Sequence, residues 1–545
     1  MGTGTAPPRA IGTPPESAPV HRAGAAAGAI RLSWAQPEDL VGHELRQAAE
    51  DGRGPAAEPL RRAWLAAGGH PAPTRAGASP TPATPELRAL ADRLLADLAA
   101  LPRPASAAEP DPWPAITTTW PPASRPGTPP ETAPALRYGA APEAGAMHVP
   151  RAVSRAGAGP EDAPEAEPRA GAGPGGKRTA APRARTPATS PEAARLEAAW
   201  LGRAVGCVLG KPVEKLPLAG IRALGRAAGN WPLDDWFTAR GVPAELLAAY
   251  PWNRRSAPTS LAENIDGTPE DDDLNYPLLN LLLLQRHGKR FTTADVARLW
   301  LDELPAGRTF TAERAAYRNL LLGLEPPATA THHNPFREWI GALIRADVHG
   351  WTNPGDPVAA AAQAHRDAVL THTGNGVYAA LFIAAATAAA ASPGADVHGA
   401  IAAGLAVVPP RSRLAEAVRF AVREARAHAH AHARFDDVVD RLHQRYGHYH
   451  WVHAVPNTAL IAAALTHADG DFTHSVCRAV SGGWDTDSNG ATAGALAGLL
   501  AGSPDRLPHR WTGPLKNRLA TSVPGFDGVG FDTLAHLTAQ EAARS

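Results

Sequence analysis

Ser481-Gly482-Gly483-Trp484-Asp485-Thr486-Asp487-Ser488-Asn489-Gly490 is the stretch on which the reading of this chain turns. Two aspartates and a serine stand in a glycine-flanked turn, and an Ala/Gly/Leu run follows at once. In that run Gly490, Gly494, Gly498 and Gly502 recur every four residues, so on a helix they form one ridge. An interior glycine costs a helix about 1 kcal/mol relative to alanine. Four in register therefore predict a second helix whose backbone comes close along that ridge. The expectation is a rigid small-residue helix holding an acidic turn inside a helical domain.

A second acidic stretch lies upstream, Pro269-Glu270-Asp271-Asp272-Asp273-Leu274-Asn275-Tyr276, followed by Leu278, Leu279, Leu281, Leu282, Leu283 and Leu284. One or two acids at a helix start suit its dipole and its unpaired N–H groups; four exceed that need. If both acidic stretches share a pocket, mutual repulsion raises their carboxylate pKa values unless a cation is present. The donors are all oxygens, which suit Mg²⁺ or Mn²⁺ better than zinc or copper.

The chain has 545 residues, with 53 basic and 53 acidic side chains. A formal charge of zero gives no bulk field directed at nucleic acid or a membrane. Cys207 and Cys477 make no disulfide framework and suit a reducing compartment, so a cytoplasmic location is expected. The first residues lack a charged segment followed by an apolar core, so no signal peptide is expected. The longest membrane-like run, 377–391, is mostly alanine and shorter than the ~20 residues of a span; a buried core helix accounts for it.

More than half of the 55 prolines precede residue 190. Residues 1–29 read as a disordered tail, 30–103 as a small helical module, 104–189 as a Pro/Ala/Gly-rich linker and 190–545 as one all-α domain. In the module, Leu87, Leu90, Leu94, Leu95 and Leu98 share one helical face; docking or scaffolding is the expected role. Ser190-Pro191-Glu192 is a helix start, with serine at the cap and proline at the first helical position. From there the pattern is helix after helix, with no run of alternating strands and no exact repeat.

Three further motifs have both plain and functional readings. Gly206-Cys207-Val208-Leu209-Gly210-Lys211-Pro212-Val213-Glu214 is either a tight loop presenting Glu214 or a helix end with a surface acid. His372-Thr373-Gly374-Asn375-Gly376-Val377-Tyr378 is either punctuation or a helix start whose N–H groups hold phosphate. His428, His430 and His432 alternate with alanine, so on a helix they do not face one ligand. His448, His450 and His453 fall in a loop with Tyr449 and Trp451 that could line a pocket.

Together these motifs resemble the ADP-ribosylglycohydrolase family (the dinitrogenase-reductase-activating glycohydrolase and ADP-ribosyl-acceptor hydrolase group) over roughly residues 192 to 505. The resemblance implies a compact orthogonal multi-helix all-α fold. Gly482-Gly483-Trp484-Asp485-Thr486-Asp487-Ser488 is similar to the family's Gly-Gly-Asp-Thr-Asp-Thr signature, with Trp484 inserted, and Glu270-Asp271-Asp272 to its Thr-Asp-Asp run, with glutamate for threonine. The family's Gly-Asp-x-x-Gly loop and following glutamate match Gly206, Gly210 and Glu214, with Cys207 in place of aspartate. The Asn-Gly-x-x-Met-Arg segment keeps only Gly341 and Arg345, so the branch is divergent.

By resemblance, Glu270, Asp271, Asp272, Asp485, Asp487 and Ser488 hold two divalent cations, Mg²⁺ or Mn²⁺. Glu214, Asp272 and Asp487 are then the catalytic groups, and Gly374, Asn375, Gly376, Tyr378, Gly482, Gly483 and Trp484 bind substrate. The implied activity is hydrolysis of the N- or O-glycosidic bond between ADP-ribose and an acceptor, through a positively charged ribose. The expected partners are an ADP-ribosylated protein or a small ADP-ribosyl conjugate, with nucleic acid only as a modified substrate and no membrane. The alternative is a silent ADP-ribose- or nucleotide-binding module of the same fold; a His-rich metal store ranks last.

Overall fold

The structure is a computed structural model that describes residues 35–73, 76–79, 82–104, 107–121, 183–186, 188, 190–428 and 434–544. The expected tail, most of the expected linker, His430 and His432 lie outside the described residues. Among the described residues there are helices and no strand; three isolated bridges pair Thr268 with Leu519, Trp339 with His453, and Leu519 with Val529. The all-α expectation therefore holds.

The chain divides into two units. The first is Met1–Pro104 with His333–Phe336, and the second is Ala105–His332 with Arg337–Ser545. In the first, α1 (Pro37–Glu50), α2 (Gly54–Ala66) and α3 (Pro85–Ala100) enclose Ala48, Ala57 and Leu98. The Thr84 hydroxyl caps α3 by accepting from Leu87 N at 3.2 Å. Of the expected leucine face, Leu94, Leu95 and Leu98 are buried. Arg53 is buried as well; it pairs with Glu44 at 3.0 Å and Asp51 at 2.8 Å and donates to Leu98 O at 2.6 Å.

In the second unit the chain begins earlier than its composition suggests. Residues 107–121 belong to it and include α4 (Trp113–Thr118). Trp120 is buried edge-on against Trp113, at 5.2 Å between ring centroids. Glu109 takes a fork from Arg413 with contacts down to 2.8 Å. Two tryptophans and one paired acid anchor a segment whose prolines and alanines suggested linker.

The unit is built on α5 (Pro191–Gly210) and α11 (Thr486–Ala501), the latter following α6 (Asp272–His287), α7 (Gly374–Ala390), α8 (Arg413–His428), α9 (Ala454–His467) and α10 (Phe472–Ser481) in the chain. Ser190 Oγ accepts from Ala193 N at 3.1 Å and starts α5 as expected. The glycine ridge of α11 meets a matching ridge on α5. A Cβ on Gly490 would lie 2.9 Å from the carbonyl carbon of Gly206; one on Gly498 would lie 2.8 Å from that of Ala198. A Cβ on Gly202 would lie 2.8 Å from that of Gly494. Because the numbers fall on one helix as they rise on the other, the two run antiparallel, one glycine rung per turn. Gly206 is therefore interior to α5 and Gly210 is its last residue, so the helix-end reading holds and the loop begins only at Lys211. Gly502 is not on the ridge: it ends α11 at φ +83°, the left-handed conformation that favours glycine.

This antiparallel contact sets the C-terminal end of α5 against the N-terminal end of α11. Around it, α6 buries Leu274, Leu278, Leu279, Leu281, Leu283 and Leu284, each worth about 1.5–3 kcal/mol in transfer free energy. Helix α7 is buried on nearly every side, as the alanine-rich run suggested. Among the described residues no helix is long and apolar enough to cross a membrane.

Candidate active site

Three segments meet where α5 ends and α11 begins. The first is the turn Lys211–Val213 and Glu214, which follows α5 directly. Thr486 Oγ1 donates to Gly210 O at 2.8 Å, tying that turn to the start of α11. The second is Asp271–Asp273. Asp271 is the N-cap of α6 and accepts from Asp273 N at 3.0 Å. Arg203, fully buried on α5, holds this turn by donating to Asp273 O at 2.6 Å, and also pairs with Asp347 and Ile344 O. The third is 482–488, where Gly483 at φ +80° and Trp484 at φ +56° reverse the chain so that Asp485 and Asp487 turn back toward Glu214.

A tryptophan at positive φ is strained. Here its ring stacks on His443, with centroids 4.0 Å apart and planes 5° from parallel. His443 Nε2 lies 2.8 Å from Gly482 O, which can only accept, so Nε2 carries the hydrogen. Burial holds this imidazole below its ordinary pKa. Asn457, at the start of α9, accepts from Asp485 N at 3.1 Å and from Asn489 Nδ2 at 2.7 Å. Its own amide donates to Trp451 O and His453 O, each at 2.9 Å.

The segments form two groups of closely spaced ligand atoms. Oxygens of Glu214, Asp485 and Asp487 lie within 4.8 Å of one another, and so do Cys207 Sγ and oxygens of Asp271 and Asp273. Burial, then the charges of Asp487 and Glu214, raise Asp485 well above the usual carboxylate range. Burial, Glu214 and Asp271 raise Asp487 to about 7, against the pull of Lys211 and Lys215. Burial and then Asp271 raise Asp272, Asp273 and the Cys207 thiol. Asp271 alone is lowered: burial opposes this, but the paired Lys211 ammonium outweighs it. The two acidic stretches thus act on one another across some two hundred positions of sequence.

The expected residues fall in different places. Asp271, Asp272, Asp485, Asp487 and Glu214 converge. Ser488 lies buried beside them, its N–H on Asp487 Oδ1 at 3.2 Å. Glu270 faces elsewhere, toward Arg308 at 2.8 Å, Ser522 N at 3.0 Å and Asn275 Nδ2 at 3.2 Å. Gly482, Gly483 and Trp484 form the reversal itself.

Gly374, Asn375, Gly376 and Tyr378 start α7 and are buried. Gly374 N–H donates to Asp111 at 2.9 Å, and Tyr378 OH to Pro110 O at 2.6 Å. Asn375 is held by Glu338 and accepts from Leu414 N at 2.9 Å. Glu338 also binds Arg413 at 2.8 Å and lies 3.5 Å from His453. This network reaches the acidic turn through the His453 carbonyl and Asn457.

The family model described as ADP-ribosylglycohydrolase matches residues 188–542. The chain belongs to the ADP-ribosylglycohydrolase family. A solved structure described as an ADP-ribosylglycohydrolase-related protein complex is similar at 19% identity and a TM-score of 0.37, covering 64% of this chain and 99% of that one. No curated protein matches.

Sequence reasoning passed over three residues at the centre of this acidic cluster. Lys211 stands one helical turn after Cys207, so both point at Asp271. Asp273 joins Asp271 because an N-cap residue and the residue two later flank the same turn. Asn457, beside Pro456 at a helix start, joins the loop 451–453 to Asp485. The signal for Lys211 is its place between the helix-ending Gly210 and Glu214; for Asn457 there is none in the sequence alone.

Proposed function

We propose that this glycohydrolase is a divalent-metal-dependent hydrolase that cleaves the N- or O-glycosidic bond between ADP-ribose and an acceptor. The observation that carries the reading is the convergence of Glu214, Asp485 and Asp487, three buried or half-buried carboxylates whose oxygens lie within 4.8 Å. Three acids so close repel one another, and the raised Asp485 and Asp487 express that repulsion. The donor set is all oxygen and fits Mg²⁺ or Mn²⁺.

Glu214, Asp485 and Asp487 would hold the ion, which supplies a Lewis acid for substrate oxygens when bound. The chain's own groups do the rest. Asp487, raised to about 7 by burial and by Glu214 and Asp271, is the ligand whose ionised form a bound cation would favour most. Glu214 is fixed by Asn253 Nδ2 at 2.8 Å and by Lys215, which lies over the Trp451 ring at 5.6 Å. Asp272, half-buried beside Asp271, is the further catalytic carboxylate. Trp484 on His443 and Trp451 under Lys215 offer flat faces for a ribose or base. The two reduced cysteines, both buried, fit a cytoplasmic setting.

The test is release of free ADP-ribose from modified arginine, serine and nucleic acid, with Mg²⁺, Mn²⁺ or EDTA. Turnover of at least one substrate, abolished by EDTA and restored by Mn²⁺, is expected. A folded protein that binds ADP-ribose but turns over none of them contradicts the reading.

A further inference from the structure

The acidic site divides into halves that differ in how their charge is met. Glu214, Asp485 and Asp487 make one half, and their cationic neighbour, Lys215, pairs with Glu214 from a side chain that is 36% exposed. Cys207, Asp271 and Asp273 make the other, and there the cations are built in. Lys211 pairs with Asp271 from a side chain only 9% exposed, and Asp487 and Cys207 also act on its ammonium. Both Asp271 oxygens are already in use, Oδ2 by Lys211 and Oδ1 by the Asp273 N–H. Asp273 lies 3.5 Å from Arg203, which also holds Asp347.

Lys211 is not placed by chance. It follows Gly210, where a Cβ would lie on the Thr486–Asp487 peptide, so the close approach of α5 to α11 fixes where the lysine emerges. Its ammonium pairs with Asp271 and lies close enough to Asp487 and Cys207 for their charges to act on it. A divalent ion entering that half would have to displace a buried ammonium from its carboxylate, which strands a charge away from water.

We infer that Lys211 is a resident cation that replaces one of a pair of metal ions, so that this chain takes a single divalent ion, at Glu214, Asp485 and Asp487. The inference rests on the metal-dependent reading above and refines it. Its consequence is chemical: one divalent ion and one ammonium carry three positive charges where two divalent ions carry four, and the ammonium donates hydrogen bonds to anionic or hydroxyl oxygens where a metal would accept their lone pairs.

The experiment is Mn²⁺ titration of the full chain by calorimetry and electron paramagnetic resonance, for wild type, Lys211→Met and Asp485→Asn. The expected result is one equivalent in wild type with an uncoupled spectrum, two in Lys211→Met with a spin-coupled spectrum, and none in Asp485→Asn. Two equivalents in wild type overturn the inference and leave the metal-dependent reading standing. One equivalent in a folded Lys211→Met does the same. No binding by wild type or Lys211→Met overturns both. Circular dichroism establishes folding of each variant, and the wild-type spectrum decides the matter even if Lys211→Met does not fold.

Discussion

Gly206→Ala puts a methyl group into the narrowest part of the molecule. Its Cβ would stand 2.6 Å from Ala491 N and closer still to the Gly490 carbonyl. Ordinary contact begins near 3.4 Å and the Gly490 oxygen would lie 1.9 Å away, so α5 and α11 must part by about 1.5 Å at that rung, and the obstacle is backbone that cannot rotate away. Overpacking of this kind costs about 1–3 kcal/mol. Against it stands a gain in helix propensity of about 1 kcal/mol. With rungs above and below also forced apart, a net loss of about 2 kcal/mol is expected, which is about 3 °C in Tm for a domain of this size. The next rung is Gly210 on Thr486, so the parting also moves Glu214 away from Asp485 and Asp487, and Mn²⁺ binding weakens. The assay is thermal unfolding with and without Mn²⁺, beside Gly307→Ala, where the new methyl meets open space. If Gly206→Ala melts with wild type and binds Mn²⁺ equally well, the helix contact does not build the site.

Other outcomes follow from the same geometry. Asp487→Asn should abolish ADP-ribose release in the substrate assay while leaving the folded state at least as stable without metal, because it removes a repelled buried charge. Asp487 holds its proton more tightly folded than unfolded, so the metal-free protein should lose stability as pH rises from about 4 to about 7 and level off above; Asp487→Asn should flatten that slope in pH-dependent melts. Glu338 has the opposite sign: Arg413 and His453 hold it below its usual value despite burial, so its contribution is complete above about pH 4.5 and lost as pH falls; Glu338→Gln should lessen acid sensitivity. Glu109→Ala strips a fork from Arg413 and should cost about 1.5–3 kcal/mol in denaturant melts, whereas a true linker residue would cost nothing.

The helix content and the need for a close neighbour along α11 were legible because they depend on local periodicity. Gly490, Gly494 and Gly498 announced a close partner, but not that the partner is the Gly202–Gly206–Gly210 face of α5, because Gly206 to Glu214 reads equally as a loop or a helix end. Asp485 and Asp487 were legible as candidate ligands because they bracket a helix start. Glu270 was not legible: four adjacent acids cannot all face one way, and only the placement of Arg308 and Ser522 N decides which turns out. Residues 107–121 were misjudged on composition, since four prolines outweigh two tryptophans in a pattern but not in a packed structure. Lys211 was hidden for another reason. Its role depends on tertiary contact with Asp271, sixty positions away.

The most direct test is diffraction from crystals of the full chain grown with Mn²⁺, with data collected at the manganese absorption edge. An anomalous peak ringed by Glu214, Asp485 and Asp487 is the predicted result. A peak elsewhere, or none at a concentration that supports ADP-ribose release, would contradict the account.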